Sequence, residues 1–318
     1  MQNADIALLW DARVFNAGFL VVRPSTVSQQ VYQSVRQMTK NTSIDDQTAL
    51  NNAISTMMRQ EEHGQVLRVN VLDRNHFLSG FYYFDKYGRR LPKFCDDSKP
   101  SNKFICPLVV HNNWIIGKEA KIYRFREHLM WLYDGDDQYY SSETRKYLTY
   151  TNPKPTTLAA LKNMMEHQIS ALKTALAIAH LLNRVVILPA FQCGSTGRRC
   201  FLNWIIHIKI FDDHFSGRYR ESCFLRHSKV PDSVKQSVID RPFSLRLNQQ
   251  YRYDVLVSGT DVMRLFSEVN AKVLNISNLQ RIKIDINDGY FDREFRSKLQ
   301  TAFRRSRYRK SHRHFLRF

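Results

Sequence analysis

Phe15-Asn16-Ala17-Gly18-Phe19-Leu20-Val21-Val22-Arg23-Pro24-Ser25 reads as an apolar strand entered through a small polar tripeptide and closed by a proline. Val21 and Val22 favour extended backbone, whereas Pro24 cannot extend a ladder and biases Arg23 away from the helical region. The pattern predicts a strand over Phe19 to Arg23, then a helix from about Ser25 to Thr39 with Ser25 or Thr26 as its N-cap. Upstream, the run Ala4 to Trp10 predicts a short strand of its own.

Downstream, a second helix is expected to begin near Ser43 or Asp45 and to run through Gln47, Asn51, Ile54 and Met58. Asp45 and Asp46 suit its first turn, where the helix dipole favours negative charge. Val66 to Leu72 alternates as a half-buried strand, Phe81 to Phe84 is expected to be extended, and Leu108 to Val110 runs straight into His111. This mixture of strands and helices is α/β in character.

The clearest break is Asn152-Pro153-Lys154-Pro155-Thr156-Thr157, since two prolines cannot continue either neighbouring element. A domain boundary is expected there, separating a first domain, 1–150, from a second, smaller α/β domain, 156–303, with a basic tail at 304–318. The second domain opens on a long amphipathic helix, Leu158 to Leu182, ending at Asn183-Arg184 before a buried strand, Val185 to Leu188, stopped by Pro189. Helix, tight turn and apolar strand are the marks of a Rossmann-like layer on a parallel sheet. Tyr253 to Gly259, Thr260 to Val269 and Ala271 to Ile276 read as a further βαβ unit, without a GxGxxG or phosphate-binding loop.

The chain has 48 Lys and Arg against 29 Asp and Glu, a formal net charge of +19, which favours polyanionic partners without naming one. Much of the excess lies near the end, from Arg293 to Arg317. Phe303, Tyr308, Phe315 and Phe318 interleave some aromatic rings there, but a basic terminal helix is more simply a solvated face, and direct nucleic-acid recognition is disfavoured. The five cysteines contain no CxxC pair, which argues against a zinc ribbon. Cys95 with Cys106, and Cys193 with Cys200, bracket short loops that local disulfides could close in an oxidising compartment; the alternative is ordinary half-buried thiols. Asn41-Thr42-Ser43 and Asn275-Ile276-Ser277 are sequons compatible with the secretory pathway. Neither a signal peptide nor a membrane anchor is visible in the sequence.

Three groups could carry chemistry. Asn16-Ala17-Gly18 allows close approach of backbone to a ligand and offers an amide donor and acceptor, or else simply forms a bulge at the strand's start. Asp46-Gln47 can grip or position a hydroxyl, or else serve the helix N-terminus. His111 leads into Asn112-Asn113-Trp114-Ile115-Ile116-Gly117-Lys118, with Lys121 beyond; imidazole can complete a Mn²⁺ shell, and lysines can neutralise a diphosphate. Asp134-Gly135-Asp136 is expected to be a solvated loop.

Phe15 to Ser25, then Asp46-Gln47-Thr48-Ala49-Leu50-Asn51, then Val110 to Gly117 together resemble the nucleotide-diphospho-sugar transferase domain of glycosyltransferase family 77, over about the first 130 residues. The resemblance implies a GT-A fold in a type II Golgi membrane protein, with activity as a xylosyl-, galactosyl- or arabinosyltransferase that uses Mn²⁺. It also implies residue roles. Asn16, Ala17, Gly18 and Asn51 would belong to the donor or acceptor side, Asp46 and Gln47 would be catalytic and contact sugar hydroxyls, and His111 would be the metal ligand. Gly117, Lys118 and Lys121 would face the diphosphate. The family's Asp-x-Asp motif precedes the Asn-Ala-Gly segment, and no Asp-x-Asp stands ahead of Asn16. The chain is therefore expected to be the C-terminal part of such a Rossmann-like domain, followed by the smaller α/β domain.

The expected function is transfer of a sugar from a nucleotide sugar, a UDP-linked pentose or hexose, to a glycan or glycoprotein acceptor in the Golgi lumen. Membrane attachment would run through an anchor outside this sequence. The rivals are an inactive glycosyltransferase-like scaffold and, behind it, a basic nucleic-acid-binding protein.

Overall fold

The computed structural model describes residues 3–41, 43–59, 66–87, 107–152, 163–193, 198–200, 202–243, 255–277, 279 and 282–305. Its contacts divide the chain into two compact units, Met1–Ile116 and Gly117–Phe318.

In the first unit, β1 (Ile6–Asp11) pairs antiparallel with β2 (Val14–Val22) and parallel with β3 (Val69–Val71), giving the order β2-β1-β3. Two helices follow β2: α1 (Thr26–Asn41) and α2 (Asp46–Met57). They close the core with Val27, Val31, Leu50, Ala53 and Ile54 against Ile6 and Leu8. Each Val, Leu or Ile side chain so removed from water contributes about 1.5–3 kcal/mol. A second, two-stranded parallel ladder joins β4 (Phe77–Ser79) to β5 (Val109–His111).

The strand expected from Phe19 begins earlier, at Val14, because β2 carries a wide irregularity within it. Leu8 faces Leu20 and Trp10 faces Phe15, so Leu9 alone stands opposite Asn16, Ala17, Gly18 and Phe19. The stretch Phe81–Tyr87, expected to begin as extended chain, is a π-helical turn. Four consecutive aromatics have no alternation to favour a strand. The turn buries Phe84 while Phe81, Tyr82 and Tyr83 remain half-buried.

The second unit begins with α3 (Lys118–Glu127). Its main sheet contains β6 (Tyr147–Tyr150) and, after α4 (Met164–Leu181), β7 (Val185–Ile187). A small antiparallel pair, β8 (Phe191–Cys193) and β9 (Arg198–Cys200), precedes α5 (Ile208–Phe215) and β10 (Tyr219–Arg220). Then come α6 (Asp232–Lys235), β11 (Val238–Pro242), β12 (Val255–Val257), α7 (Gly259–Phe266), β13 (Val273–Ser277), β14 (Ile282–Ile284) and α8 (Arg293–Arg305). The five-stranded sheet has the order β10-β7-β6-β13-β11, and every pair in it is parallel. A Rossmann-like parallel sheet is thus present in this half. The βαβ unit read through α7 is divided between sheets: β12 pairs with β14, whereas β13 lies between β6 and β11.

The division at Ile116/Gly117 lies well before the Pro153–Pro155 segment, which itself falls outside the described residues. The physical reason is β6. It precedes the prolines, yet both its sheet partners, β7 and β13, follow them, so the prolines lie within a strand-to-helix connection of one unit.

Several local expectations have clear physical counterparts. Asp45 caps α2 by accepting from the Thr48 amide over 2.9 Å. Asn183 ends the long helix with φ 46°, a left-handed conformation that asparagine tolerates. Arg184 then turns inward and donates to the carbonyls of Tyr147 at 3.1 Å and Ala271 at 2.8 Å. Asp134 holds the turn at Gly135 by accepting from the Tyr140 amide and the Ser141 hydroxyl, so it is an organised turn residue rather than a merely solvated one. Cys200 is disulfide-bonded and Cys223 is free and buried. Cys95 and Cys106, Gly194 to Gly197 and residues 306–318 of the basic tail lie outside the described residues. The sequon residue Asn275 sits in β13, between two neighbouring strands, and donates to the Asp240 carboxylate.

Candidate functional site

The last residues of β1, β4 and β5 are Asp11, Ser79 and His111. Carboxyl ends of strands are where open α/β sheets hold ligands, because the chain turns there and leaves a crevice. Hydrogen bonds tie these ends together. The Gly80 amide donates to Asn113 Oδ1 at 2.7 Å, and Asn113 Nδ2 donates to Asp11. Asp11 Oδ1 accepts from the Trp114 indole Nε1 at 2.7 Å, and Oδ2 accepts from Asn16 Nδ2 at 3.0 Å. Ser79 is buried opposite His111 in the ladder, and among the described residues its hydroxyl has no hydrogen-bond partner.

Asn16 works in two directions. Its Oδ1 accepts from the Gly18 amide at 2.7 Å, which shapes the irregular segment of β2, while its Nδ2 reaches Asp11. Ala17 is half-buried and Gly18 exposed within the same segment. Gly18 lies directly against His111, for a Cβ built on it would meet the imidazole Cε1 and Nε2 at 2.6 Å. Thus Asn16, Ala17, Gly18 and His111, named from sequence alone, form one cluster. Asp11 and Trp114 join it, although sequence reading gave neither a role. The signal for Asp11 was a carboxylate ending an apolar strand.

Asp46 and Gln47 open α2. Asp46 is exposed and Gln47 half-buried, and Asp46 Oδ1 accepts from the Gln47 amide at 2.8 Å. Asn51, one turn further, directs its amide at the backbone of β2: Oδ1 accepts from Phe15 N at 2.9 Å and Nδ2 donates to Phe15 O at 2.8 Å. Nδ2 also donates to Gln47 O at 2.8 Å. Asn51 therefore clamps the strand that carries Asn16 to Gly18.

Gly117, Lys118 and Lys121 belong to the second unit. Gly117 precedes α3 with φ 96°, a conformation that favours glycine, and its carbonyl accepts from the Lys121 amide at 3.2 Å. Lys118 and Lys121 are exposed on α3.

The Mn²⁺ implied by the resemblance calls for several hard oxygen ligands. Asp11 is the carboxylate of the His111 cluster, and three side-chain N–H groups already point at it. Among the described residues no three His, Cys, Asp or Glu side chains gather to hold an ion. The described side chains by themselves do not make the oxygen-rich shell that this ion requires.

Residues 3–125 match the nucleotide-diphospho-sugar transferase family. The chain is also similar to arabinosyltransferase XEG113 of Arabidopsis thaliana, 23% identical over 267 residues, covering 71% of this chain and 40% of that protein. The chain thus spans 40% of the length of the curated relative it matches. No solved structure matches. The matched segment contains Asp11, the Asn16–Gly18 irregularity, α2 and the whole of His111 to Lys121. Within a mixed α/β chain, residues 3–125 are thus similar to nucleotide-diphospho-sugar transferase domains, the same likeness that the sequence motifs carry.

Proposed function

We propose that the chain transfers a sugar from a nucleotide-sugar donor, a UDP-linked pentose or hexose, to a glycan or glycoprotein acceptor. The observation that carries this reading is the joining of Asp11, Asn16 to Gly18 and His111 to Trp114 at strand ends inside the family-matched segment. The similarity to an arabinosyltransferase makes a pentose the first donor to try. Transfer is a displacement at the anomeric carbon, where negative charge develops on the departing nucleoside diphosphate and electrostatic help counts most. Asp46 and Gln47 hold sugar hydroxyls from the exposed first turn of α2. His111 presents its imidazole beside Gly18. A Mn²⁺ requirement would need oxygen ligands besides His111.

A disulfide at Cys200 supports a Golgi-luminal location, since such bonds persist in oxidising compartments. No helix among the described residues is long and apolar enough to cross a membrane. The three N–H donors already on Asp11 favour a second reading, a binder of nucleotide sugars without turnover.

One experiment separates the two. The chain is incubated with UDP-arabinose, UDP-xylose or UDP-galactose, with and without Mn²⁺, and UDP release is followed. Release that falls roughly 10²-fold or more in His111→Ala supports transfer. Equal turnover by the variant removes His111 from the site, and UDP binding without any release supports the second reading.

A further inference from the structure

Trp114 stands out by its backbone, its anchor and its exposure. Its φ is 58°, in the left-handed region that bulky L-residues rarely enter. Such strain persists where surrounding contacts over-determine a residue, and it concentrates at ligand sites. Here the contacts are identifiable. The indole N–H is tied to buried Asp11 at 2.7 Å, the preceding residue Asn113 is fixed to Asp11 and Gly80, and the ring packs beside Phe81 with centroids 5.5 Å apart. In spite of this anchoring the residue remains 44% exposed. A large aromatic ring held rigidly yet left open to solvent is unusual for a side chain whose only task is packing.

We infer that Trp114 is a stacking platform for a sugar ring, with Asp11 as its positioning residue. The chemistry favours this ligand. An aromatic face is electron-rich, and donation of the indole N–H to a carboxylate leaves it more so, which suits the polarised C–H groups on one face of a sugar. Asn16, Asn113 and His111 surround the same strand ends with polar groups, so an amphipathic ring meets an amphipathic site. The inference rests on the nucleotide-sugar reading and adds the surface that tells a sugar-bearing ligand from a bare nucleotide. The ring could belong to the donor or to the acceptor, and the C–H face is common to both.

Calorimetry on the full chain distinguishes the outcomes, with UDP, UDP-arabinose, UDP-xylose, UDP-galactose and arabinotriose as the probes. Trp114→Ala is expected to weaken a sugar-bearing ligand about tenfold while leaving UDP unchanged, and Trp114→Phe is expected to keep most of the affinity. A loss confined to the UDP-sugars assigns the ring to the donor, and a loss on arabinotriose assigns it to the acceptor. In Asp11→Asn, sugar affinity should fall as the indole N–H resonance of Trp114 moves. If UDP binds but no sugar affinity changes in Trp114→Ala, the platform is overturned and the nucleotide-sugar reading survives. If the unaltered chain binds none of the probes, both are overturned. Should Trp114→Ala not fold, Trp114→Leu is compared with Trp114→Phe, and equal sugar binding by the two overturns the platform.

Discussion

The imidazole of His111 rests on the backbone of Gly18 so closely that a Cβ there would lie 2.6 Å from both Cε1 and Nε2. A methyl group must therefore push the ring away or distort the Asn16–Phe19 segment. Gly18→Ala is expected to reduce turnover roughly 10²-fold through misplacement of His111, while destabilising the fold by only about 1–3 kcal/mol. Parallel measurements of UDP release and urea unfolding check this. Unchanged release in a folded variant would show that the position of the imidazole is immaterial.

Asn51 clamps α2 to β2 through both the N–H and the carbonyl of Phe15. Asn51→Ala should cost about 2–3 kcal/mol, since three hydrogen bonds to partly buried backbone disappear. Hydrogen exchange at the Phe15 amide should accelerate in step. Full stability with lost donor affinity would instead assign the side chain to the ligand.

Burial pushes the Asp5 carboxyl up, but hydrogen bonds from the Arg68 amide and guanidinium and from the Ser25 hydroxyl outweigh it, holding the group below the ordinary 3.8. The unfolded chain then binds this proton more tightly, so the stabilisation is complete above the unfolded value and is lost as pH falls through the folded one. Asp5→Asn should flatten the stability profile below about pH 4, with little change in its slope at neutral pH. Chemical denaturation across that range decides; an unaltered acid limb in the variant refutes it.

Glu221 carries the opposite sign. It is fully buried and accepts from the Tyr139 hydroxyl at 2.9 Å, and burial pushes its carboxyl above the ordinary 4.5. The Arg126 and Arg220 guanidinium groups, stacked 3.5 Å and 3.9 Å from the Tyr139 ring, temper that rise without reversing it. A raised carboxyl favours the folded state at pH below the unfolded value and loses that contribution as pH climbs through the folded one. The unaltered chain should lose stability on this account as pH rises from about 4.5. Glu221→Gln should remove that slope, and a slope of equal size in the variant would clear Glu221 of responsibility.

The Cys223 thiol donates to the carbonyls of Arg126 at 3.1 Å and Glu127 at 3.2 Å, and burial pushes it up to about 12. Thiolate is the reactive form, so Cys223 should resist iodoacetamide in the folded protein and react once urea unfolds the chain. Peptide mapping of the alkylated residue provides the check.

What could be read in advance was set by neighbours in sequence. Pro24 closing β2, Asp45 capping α2 and Asn183 ending α4 each act within one or two turns. Residues with long-range partners were harder. Asp11 meets Asn113 and Trp114 across more than a hundred residues, and nothing near Asp11 announces that encounter. Asn51 looked like a ligand-facing amide because the residue type suits both roles; only Phe15, 36 positions away, reveals the clamp. The prolines after β6 looked like a linker because strand pairing with β13 is invisible locally.

The place of β6 bears on the order in which the chain can fold. Every strand pair of the first unit is complete by His111, so that unit can close while synthesis continues. β6 sits in the middle of its sheet and must wait for β13, whose residues 273–277 emerge more than a hundred positions later. Loop closure over that span slows nucleation and leaves the β13-facing edge of β6 open meanwhile. A ribosome-stalled chain ending before residue 273 is therefore expected to present a protease-resistant first unit ahead of a protease-sensitive remainder.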